Sequence, residues 1–331
     1  MNQEYGVFTL FLFNIVVYNI PLLYGTVGEM ITEKSGSLNL GVEGTMAVGA
    51  IFGYLAGNYA NSMLVGLLVS FVTAGMCGLL FAFLTVSLQA NQNVTGLTLT
   101  TFGLGLYFFV GKGLGADWPA MQGAQSLTGG FAARPIPVLS SIPVLGKALF
   151  SHSLLVYLGI AIAVLSWWYL KHTKAGLRLR AVGENPGAAD SVGVNILQYK
   201  YIHLVLGSGI MGLGGFYMAL NMGGSFEGSN CWINGYGWIS IALVIFANWN
   251  PVYAIFGTMV FGFFNVLQVR ASSLAYAFPE LLGWMSSIPP QLYKALPFLI
   301  TAIVLIVSSV NKRGSSGAPA GLGLNYFREE R

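Results

Sequence analysis

The residues able to do covalent chemistry are few in this 331-residue chain and are poorly placed for it. Three histidines, His152, His172 and His203, are scattered, and the two cysteines, Cys77 and Cys231, lie far apart. Neither an HExxH nor a CxxC pattern occurs, so no zinc or redox site is written here. Gly146-Lys147 is followed by Ala148, and no glycine stands five positions before Gly146, so the phosphate-cradling GxxxxGK[ST] loop is absent. No hydrolase triad can be assembled. Two polar patches suggest a different chemistry. Asn39 and Glu43 sit among Gly36, Gly41 and Gly44, a composition that fits a broken helix whose backbone lines a cavity. Gln92, Asn93, Thr95, Thr98, Thr100 and Thr101 form a second, uncharged patch. Such groups suit an uncharged, hydrogen-bonding solute, and Asn39, Glu43, Asn93, Thr98 and Thr101 are its candidate contacts. Glu43 reads also as an interfacial or helix-packing carboxylate, since a charge at the bilayer centre costs roughly 2.5 to 3.5 kcal/mol. The threonines read also as helix-to-helix or backbone hydrogen-bonding groups.

The elements that must position these patches follow from composition. Hydrophobic residues make up 55% of the chain and charged ones 8%, where a soluble domain carries about a quarter charged. A soluble fold so poor in charge would expose large apolar patches. The expected fold is all-α, a polytopic transmembrane bundle of about 8 to 10 helices, some broken or re-entrant, in a single domain over residues 1–331. Residues 5–28 carry no Asp, Glu, Lys or Arg and give the first span, followed by a polar knot from Glu29 to Glu43. Gly44 to Gly111 holds no charge and has room for about three spans, with breaks at 57–62 (GNYANS) and 89–93 (QANQN). Gly49, Gly53 and Gly57 put bare backbone on one helix face, for close packing. Residues 112–147, with Lys112, Asp117, Arg134, Lys147 and four prolines, read as a long extracytoplasmic loop. Spans follow at 148–170 and 201–226. The uncharged run 228–269 divides at Asn248-Trp249-Asn250-Pro251, a turn signal. The piece from Trp238 to Ala247 is either a half-helix or extended back to Trp232. A loop at 271–290, a last span from Leu292 to Val310 and a tail at 311–331 complete the chain.

Orientation comes from residues 171–200, where Lys171, Lys174, Arg178, Arg180 and Lys200 gather in one polar island. Positive loops face the cytoplasm. The tail is basic as well, and the four segments between loop and tail satisfy parity. Five segments precede the loop, which places the N-terminus outside. These inner loops account for the net charge of +4, with no nucleic-acid partner needed. No cleavable signal is evident. The three histidines, near helix ends, are expected in interfacial solvation, and the cysteines as a small buried hydrophobe and a loop thiol. Within the island, Asn185 can cap a helix and Pro186 suits its first position. Ala188, Ala189, Val192 and Val194 give that helix a modest apolar face, with Glu184 and Asp190 at its edges. It reads either as a linker lying on the surface or as a grip for another protein.

The run GLRLRAVGENPGAADSVGVN resembles the ATPase-docking loop of bacterial ABC importer permeases serving branched-chain amino acids, ribose and nucleosides. EKSGSLNLGVEG resembles the signature of the nucleoside-type members, and IPVLGKALF, IALVIFANWNP and FGFFNVLQ are similar to that family in the same order. Together they extend from about residue 20 to 310. Asn248 departs from an expected glycine, and Thr45-Met46 from a paired methionine. The resemblance implies the smaller of two permeases, enclosing a path with a second permease subunit. It implies a cytoplasmic ATPase docked on Gly183, Glu184, Asn185, Pro186, Gly187, Ala188, Ala189 and Asp190, and a lipoprotein or periplasmic protein delivering a nucleoside. The subunit would be no enzyme, would hold no cofactor, and would lie in lipid of the bacterial inner membrane. Phe102, Tyr107 or Trp238 could stack on a base. The competing class is an ion-coupled secondary transporter, for which Glu29 and Glu43 are the near candidates.

Overall fold

The computed structural model describes residues 2–114, 125–137, 139–289 and 317–327, with 291–293, 295, 296, 299, 300, 302, 303 and 306. Among the described residues the chain is helical, apart from connecting turns and one isolated bridge between Glu227 and Asn230. The helices are α1 (Asn2–Glu33), α2 (Val42–Tyr59), α3 (Met63–Ala82, ending in a π-turn over Phe83–Ser87), α4 (Gln92–Gly113), α5 (Gln125–Phe131) and α6 (Leu145–Phe150). Then come α7 (Leu154–His172), α8 (Lys174–Glu184), α9 (Pro186–Ser191), α10 (Ile196–Asn221), α11 (Tyr236–Phe246), α12 (Pro251–Ala277) and α13 (Pro279–Leu282). Six described stretches are long and apolar enough to cross a membrane, at Gly6–Glu33, Met63–Ser87, Gln92–Gly113, Leu154–His172, Ile196–Asn221 and Pro251–Ala277. The chain is a polytopic all-α membrane bundle.

Small residues set the packing. Between apolar helices in lipid no hydrophobic gain drives association, so close van der Waals contact must. The central helix α10 is the most buried of the spans, 78% of its apolar window lying inside. A Cβ on Gly49 of α2 would come 2.5 Å from the Gly212 Cα of α10, so only glycine lets these two backbones touch. Gly53 and Gly57 face Gly66 of α3 in the same way, as their spacing predicts. Ser70 Oγ of α3 donates to the Gly212 carbonyl at 2.7 Å. On the opposite side of α3, Leu64, Leu68, Val72, Met76, Leu79 and Phe83 are exposed. Their three- and four-residue spacing makes one apolar stripe, the face a bilayer would cover.

Two helices begin inside the bundle. A Cβ on Gly44, near the start of α2, would lie 2.5 Å from the Leu99 carbonyl. Leu99 is seven residues into α4, about 10 Å along its axis. The knot at 34–41 therefore climbs into the bundle before α2 starts. From the far end of α10, residues 222–235 dip back and place the start of α11 against Glu43. At 11 residues, α11 is the half-helix of the two sequence alternatives, about 16 Å long.

Several expected boundaries move. The first helix does not stop at 28 but runs on to Glu33, so Glu29 and Glu33 are buried helical residues and not part of a loop. Residues 271–277, expected in a loop, continue α12, and a 3-10 turn at Gly283–Ser287 follows α13. The span at 148–170 divides into α6 and α7, and α10 covers 196–221, a shift of five residues. The stretch 112–147 includes the short α5 and the start of α6; Asp117 and Pro119 lie outside the described residues. So does most of the last span at 292–310 and the tail up to residue 316. His152 and His203 are buried, not solvated. Nε2 of His152 meets the Ala148 carbonyl at 2.8 Å while its ring stacks on Phe13, and His203 is held by the Tyr169 hydroxyl at 2.8 Å and the Tyr199 carbonyl at 2.7 Å. Cys77 is buried and Cys231 lies half-buried in a loop, as expected.

Candidate functional site

The basic island folds as two short helices at one end of the bundle, here the basic end. Thr173 caps α8, its Oγ1 accepting from the Gly176 amide at 3.0 Å. Asn185 caps α9, its Oδ1 accepting from the Ala188 amide at 3.0 Å, with Pro186 at the first position. That local prediction holds in detail. The face splits, however. Ala189 turns inward with Val182 and Ile196, while Ala188 and Val192 are exposed beside Glu184 and Asn185. A Cβ on Gly187 would make only ordinary contacts, 3.5 Å from Asn185 Oδ1 and 3.9 Å from the Tyr326 ring, whereas one on Gly183 would collide with the Lys34 carbonyl oxygen. The α8–α9 segment is thus pressed against the knot that follows α1.

Residues 317–327 bind this arrangement together, a role the sequence reading did not foresee. They form a strap across the basic end. Lys34 Nζ donates to the Gly317 carbonyl at 2.6 Å, and the Gly317 amide donates to Asn248 Oδ1 at 2.8 Å. The Ala320 amide donates to Glu184 Oε2 at 3.0 Å, the Gly321 amide to the Gly183 carbonyl at 2.9 Å, and the Gly323 amide to the Gly36 carbonyl at 3.2 Å. Asn325 Nδ2 donates to the Gln89 carbonyl at 2.7 Å, and the Tyr326 hydroxyl to Asp190 Oδ2 at 2.9 Å. Gln92, at the foot of α4, joins knot to strap. Its Oε1 accepts from the Leu38 amide at 2.7 Å and its Nε2 donates to Asn325 Oδ1 at 3.0 Å. Burial pulls the Lys34 ammonium below its usual range, which the neighbouring Glu184 carboxylate opposes and Arg180 reinforces. The signal available in the sequence was composition: GAPAGLGLNYF carries no charge, unlike the residues on either side of it.

The second candidate centre lies within the bundle. Glu43 is 4% exposed, and its carboxylate accepts from the Gly235 amide (Oε1) and the Gly237 amide (Oε2), each at 2.7 Å. It caps the first turn of α11, where free amides and the helix dipole favour an anion. Gly235, at φ +91°, makes the sharp entry. Two more glutamates act alike. Glu29 accepts from the Asn39 amide at 3.1 Å and from Thr32 Oγ1 at 2.7 Å. Glu33 accepts from the Trp249 indole in the turn after α11. Glu29 therefore fixes the knot, Glu43 the start of α11, and Glu33 the turn at its end. Glu33 and Trp249 were missed as a pair, because 216 residues separate them.

Asn39 and Glu43 are brought close by the knot. The Asn39 side chain accepts from the Gly41 amide at 2.8 Å, while its buried Nδ2 finds no acceptor among the described residues. Asn93, Thr98 and Thr101 are elsewhere, on the exposed face of α4 with Val94, Leu97 and Phe102. The hydroxyls of Thr98 and Thr101 donate to carbonyls of their own helix, at 2.8 and 3.2 Å. Thr100 turns inward to the Leu40 carbonyl at 3.0 Å. Tyr107 is fully buried, its ring 5.5 Å from Trp232 and 5.6 Å from Phe226, so it offers no free face; Phe102 and Trp238 are half exposed. Among the described residues no cluster of His, Cys, Asp and Glu could hold a metal. The glutamates point at amides and hold backbone in place, an arrangement for positioning helices.

The family described as branched-chain amino acid transport system / permease component matches residues 11–305. A Haloferax volcanii protein provisionally named a glucose ABC transporter permease protein is 33% identical, covering 93% of this chain and 94% of its own. The nucleoside ABC transporter permease protein of Lactococcus lactis subsp. cremoris is 33% identical over 96% of both chains. The guanosine ABC transporter permease protein of Bacillus subtilis is 31% identical over 96% of both. No solved structure matches the chain.

Proposed function

The chain belongs to the family of branched-chain amino acid transport system permease components, and from that premise we propose that it carries a nucleoside inward as one of two permeases of an ATP-driven importer. The observation that supports the solute is full-length similarity to nucleoside and guanosine permeases. The basic end faces the cytoplasm, because it gathers Lys34 and the positive island of 171–200. A separate ATPase grips α9 through Glu184, Asn185, Ala188 and Val192, which are exposed there. Its closure pushes Gly183 against the knot, and the strap carries the same push to α4 through Gln92. The outward face of α4, with Asn93, Thr98, Thr101 and Phe102, meets the second permease and lines the path. Glu43 acts from behind, holding α11 in place.

The test is uptake by the complete importer, reconstituted with its ATPase, second permease and binding protein. Labelled guanosine should accumulate with ATP, stop with vanadate and survive an uncoupler. Collapse with an uncoupler alone would transfer the protein to the ion-coupled class. A sugar is the second reading, favoured by the equal likeness to the Haloferax protein. Excess unlabelled glucose should leave guanosine uptake unchanged; strong competition would reverse the order of the two solutes.

A further inference from the structure

A cavity of about 830 Å³ opens at the basic end, between the π-turn after α3, the docking segment, the foot of α10 and the strap. Thr85, Asn195, Lys200, Asn325 and Tyr326 are among its walls. Lys200 is 4% exposed, yet no hydrogen bond or ion pair engages its ammonium among the described residues. The side chain is sunk among its neighbours while the ammonium reaches the open cavity, where an anion can meet it. Among the described residues the single acidic side chain in the walls is Asp190, on α9, and it already accepts from the Tyr326 hydroxyl. The same walls hold the start of α10, a helix of 26 residues. Asn195 satisfies the Gln198 amide, while the amides of Ile196 and Leu197 precede the first turn and find no acceptor within the helix. A long helix start and an unpartnered ammonium on a largely buried side chain therefore converge on one space.

We propose that this cavity binds a phosphate group, its oxygens meeting the Lys200 ammonium and the first amides of α10. Oriented amides at a helix start and a nearby lysine are the groups that phosphate chemistry uses. Exposed Leu197 and Phe327 are among the walls, so the phosphate of a membrane lipid fits best, its acyl chains lying along these side chains. Free phosphate shares the same chemistry. A site here would tie the state of the inner lipid surface to the docking segment, since Asp190 and Tyr326 form part of one wall. The inference does not depend on which solute is carried.

The experiment uses the complete importer, stripped of lipid in neutral detergent, with thermal unfolding read against two probes. One is phosphatidylglycerol in mixed micelles, the other inorganic phosphate against chloride at equal ionic strength. Phosphatidylglycerol should stabilise the wild type, and Lys200→Met should weaken its apparent affinity on the order of tenfold. Lys200→Arg should retain the response, and Lys174→Met, at an exposed lysine, should not alter it. Native mass spectrometry of the wild type should show retained phospholipid, a readout independent of any variant. A response to inorganic phosphate alone, lost in Lys200→Met, supports the anion site and reassigns its source. No response to either probe in the wild type, or an unchanged one in Lys200→Met, overturns the proposal. So does a response that appears only after Glu329→Gln with Glu330→Gln, because the chain's own carboxylates would then be the occupant.

Discussion

The junction inside the bundle and the strap at the basic end are both built from polar contacts, yet they are opposite kinds of joint. At the junction a few carboxylates are sealed from water: Glu29, Glu33 and Glu43 are at most 4% exposed, and each holds a backbone amide or an indole N–H. The Asn39 and Gly237 amides, once released, have no water to replace the acceptor, whereas the Gly235 amide and the Trp249 indole are half-buried. At the basic end the strap makes more bonds, but Glu184 is exposed and Asp190 and Tyr326 are only half-buried. Water can stand in for any of these, so the strap can yield bond by bond without coming away. A sealed joint suits segments that keep their place while the bundle moves. A wet, multiply attached one suits a surface that is pushed.

The contrast breaks most sharply at Glu43. Glu43→Ala strands the amide of Gly237 in the interior and takes the acceptor from the half-buried amide of Gly235. A stranded interior amide costs about 1 to 3 kcal/mol and a half-buried one less, so the unfolding free energy of the purified assembly should fall by roughly 2 to 4 kcal/mol. Glu43→Gln, which keeps one acceptor oxygen, should lose about half as much. If Glu43→Ala melts with the wild type, the carboxylate holds nothing and a direct role toward solute returns. Next in size is Gly183→Val. Its side chain would drive the docking segment off the Lys34 carbonyl. Transport should fall at least about tenfold while the protein still reaches the membrane, since the collision is with Lys34 at the basic-end start of the knot and not with a span. Uptake at the wild-type level would take the contact between docking segment and knot out of the mechanism.

Much of this was legible in the chain. The charge-free run from Gly44 broke where GNYANS and QANQN said it would, because turn residues there have no apolar side chain to pack. Asn185 and Pro186 started a helix because capping is local chemistry. What stayed hidden depends on partners distant in sequence. Gln92 was grouped with Asn93, Thr98 and Thr101 as one polar patch, but a helix turns about 100° per residue, and the fold sends Gln92 and Thr100 inward and the other three outward. Glu29 and Glu33 broke the expected end of α1, since burial against Asn39 and Trp249 lets a helix carry acids that local reading assigns to a loop. The uncharged segment at 317–327 looked like a tail because the groups that order it lie at positions 34, 36, 89, 92, 183, 184, 190 and 248.

Gln92 lets the two kinds of joint be compared in one side chain. It is 4% exposed, bonded to the knot through Oε1 and to the strap through Nε2. Gln92→Leu should cost about 1 to 3 kcal/mol, because the Leu38 amide loses its acceptor in a buried setting. Asn325→Ala leaves that bond intact and removes only the strap's side of the joint, the Oδ1 that accepts from Gln92 and the Nδ2 that donates to the Gln89 and Ala90 carbonyls. It should therefore unfold close to the wild type while transport declines, if the strap passes on the motion of the docking segment. Equal loss of stability in both variants would make the strap bond as rigid as the buried one and erase the distinction.

The smallest effect should come from Tyr326→Phe. The ring packs with Val182, Ala189 and Ile196, and phenylalanine keeps that contact. Only the hydroxyl bond to Asp190 disappears, at a half-buried site that water can reach. Its net worth is about 0.5 to 1.5 kcal/mol in a dry setting, and exchange with water should bring it to the lower end. Thermal unfolding should barely move, and transport should remain within about twofold of the wild type. Tyr326→Ala removes the ring as well and should loosen the end of the strap from α9, lowering transport further than the hydroxyl alone. A Tyr326→Phe protein as damaged as Tyr326→Ala would mean that this single bond, and not the spread of bonds along the strap, holds α9. The basic end would then be a sealed joint like the one around Glu43.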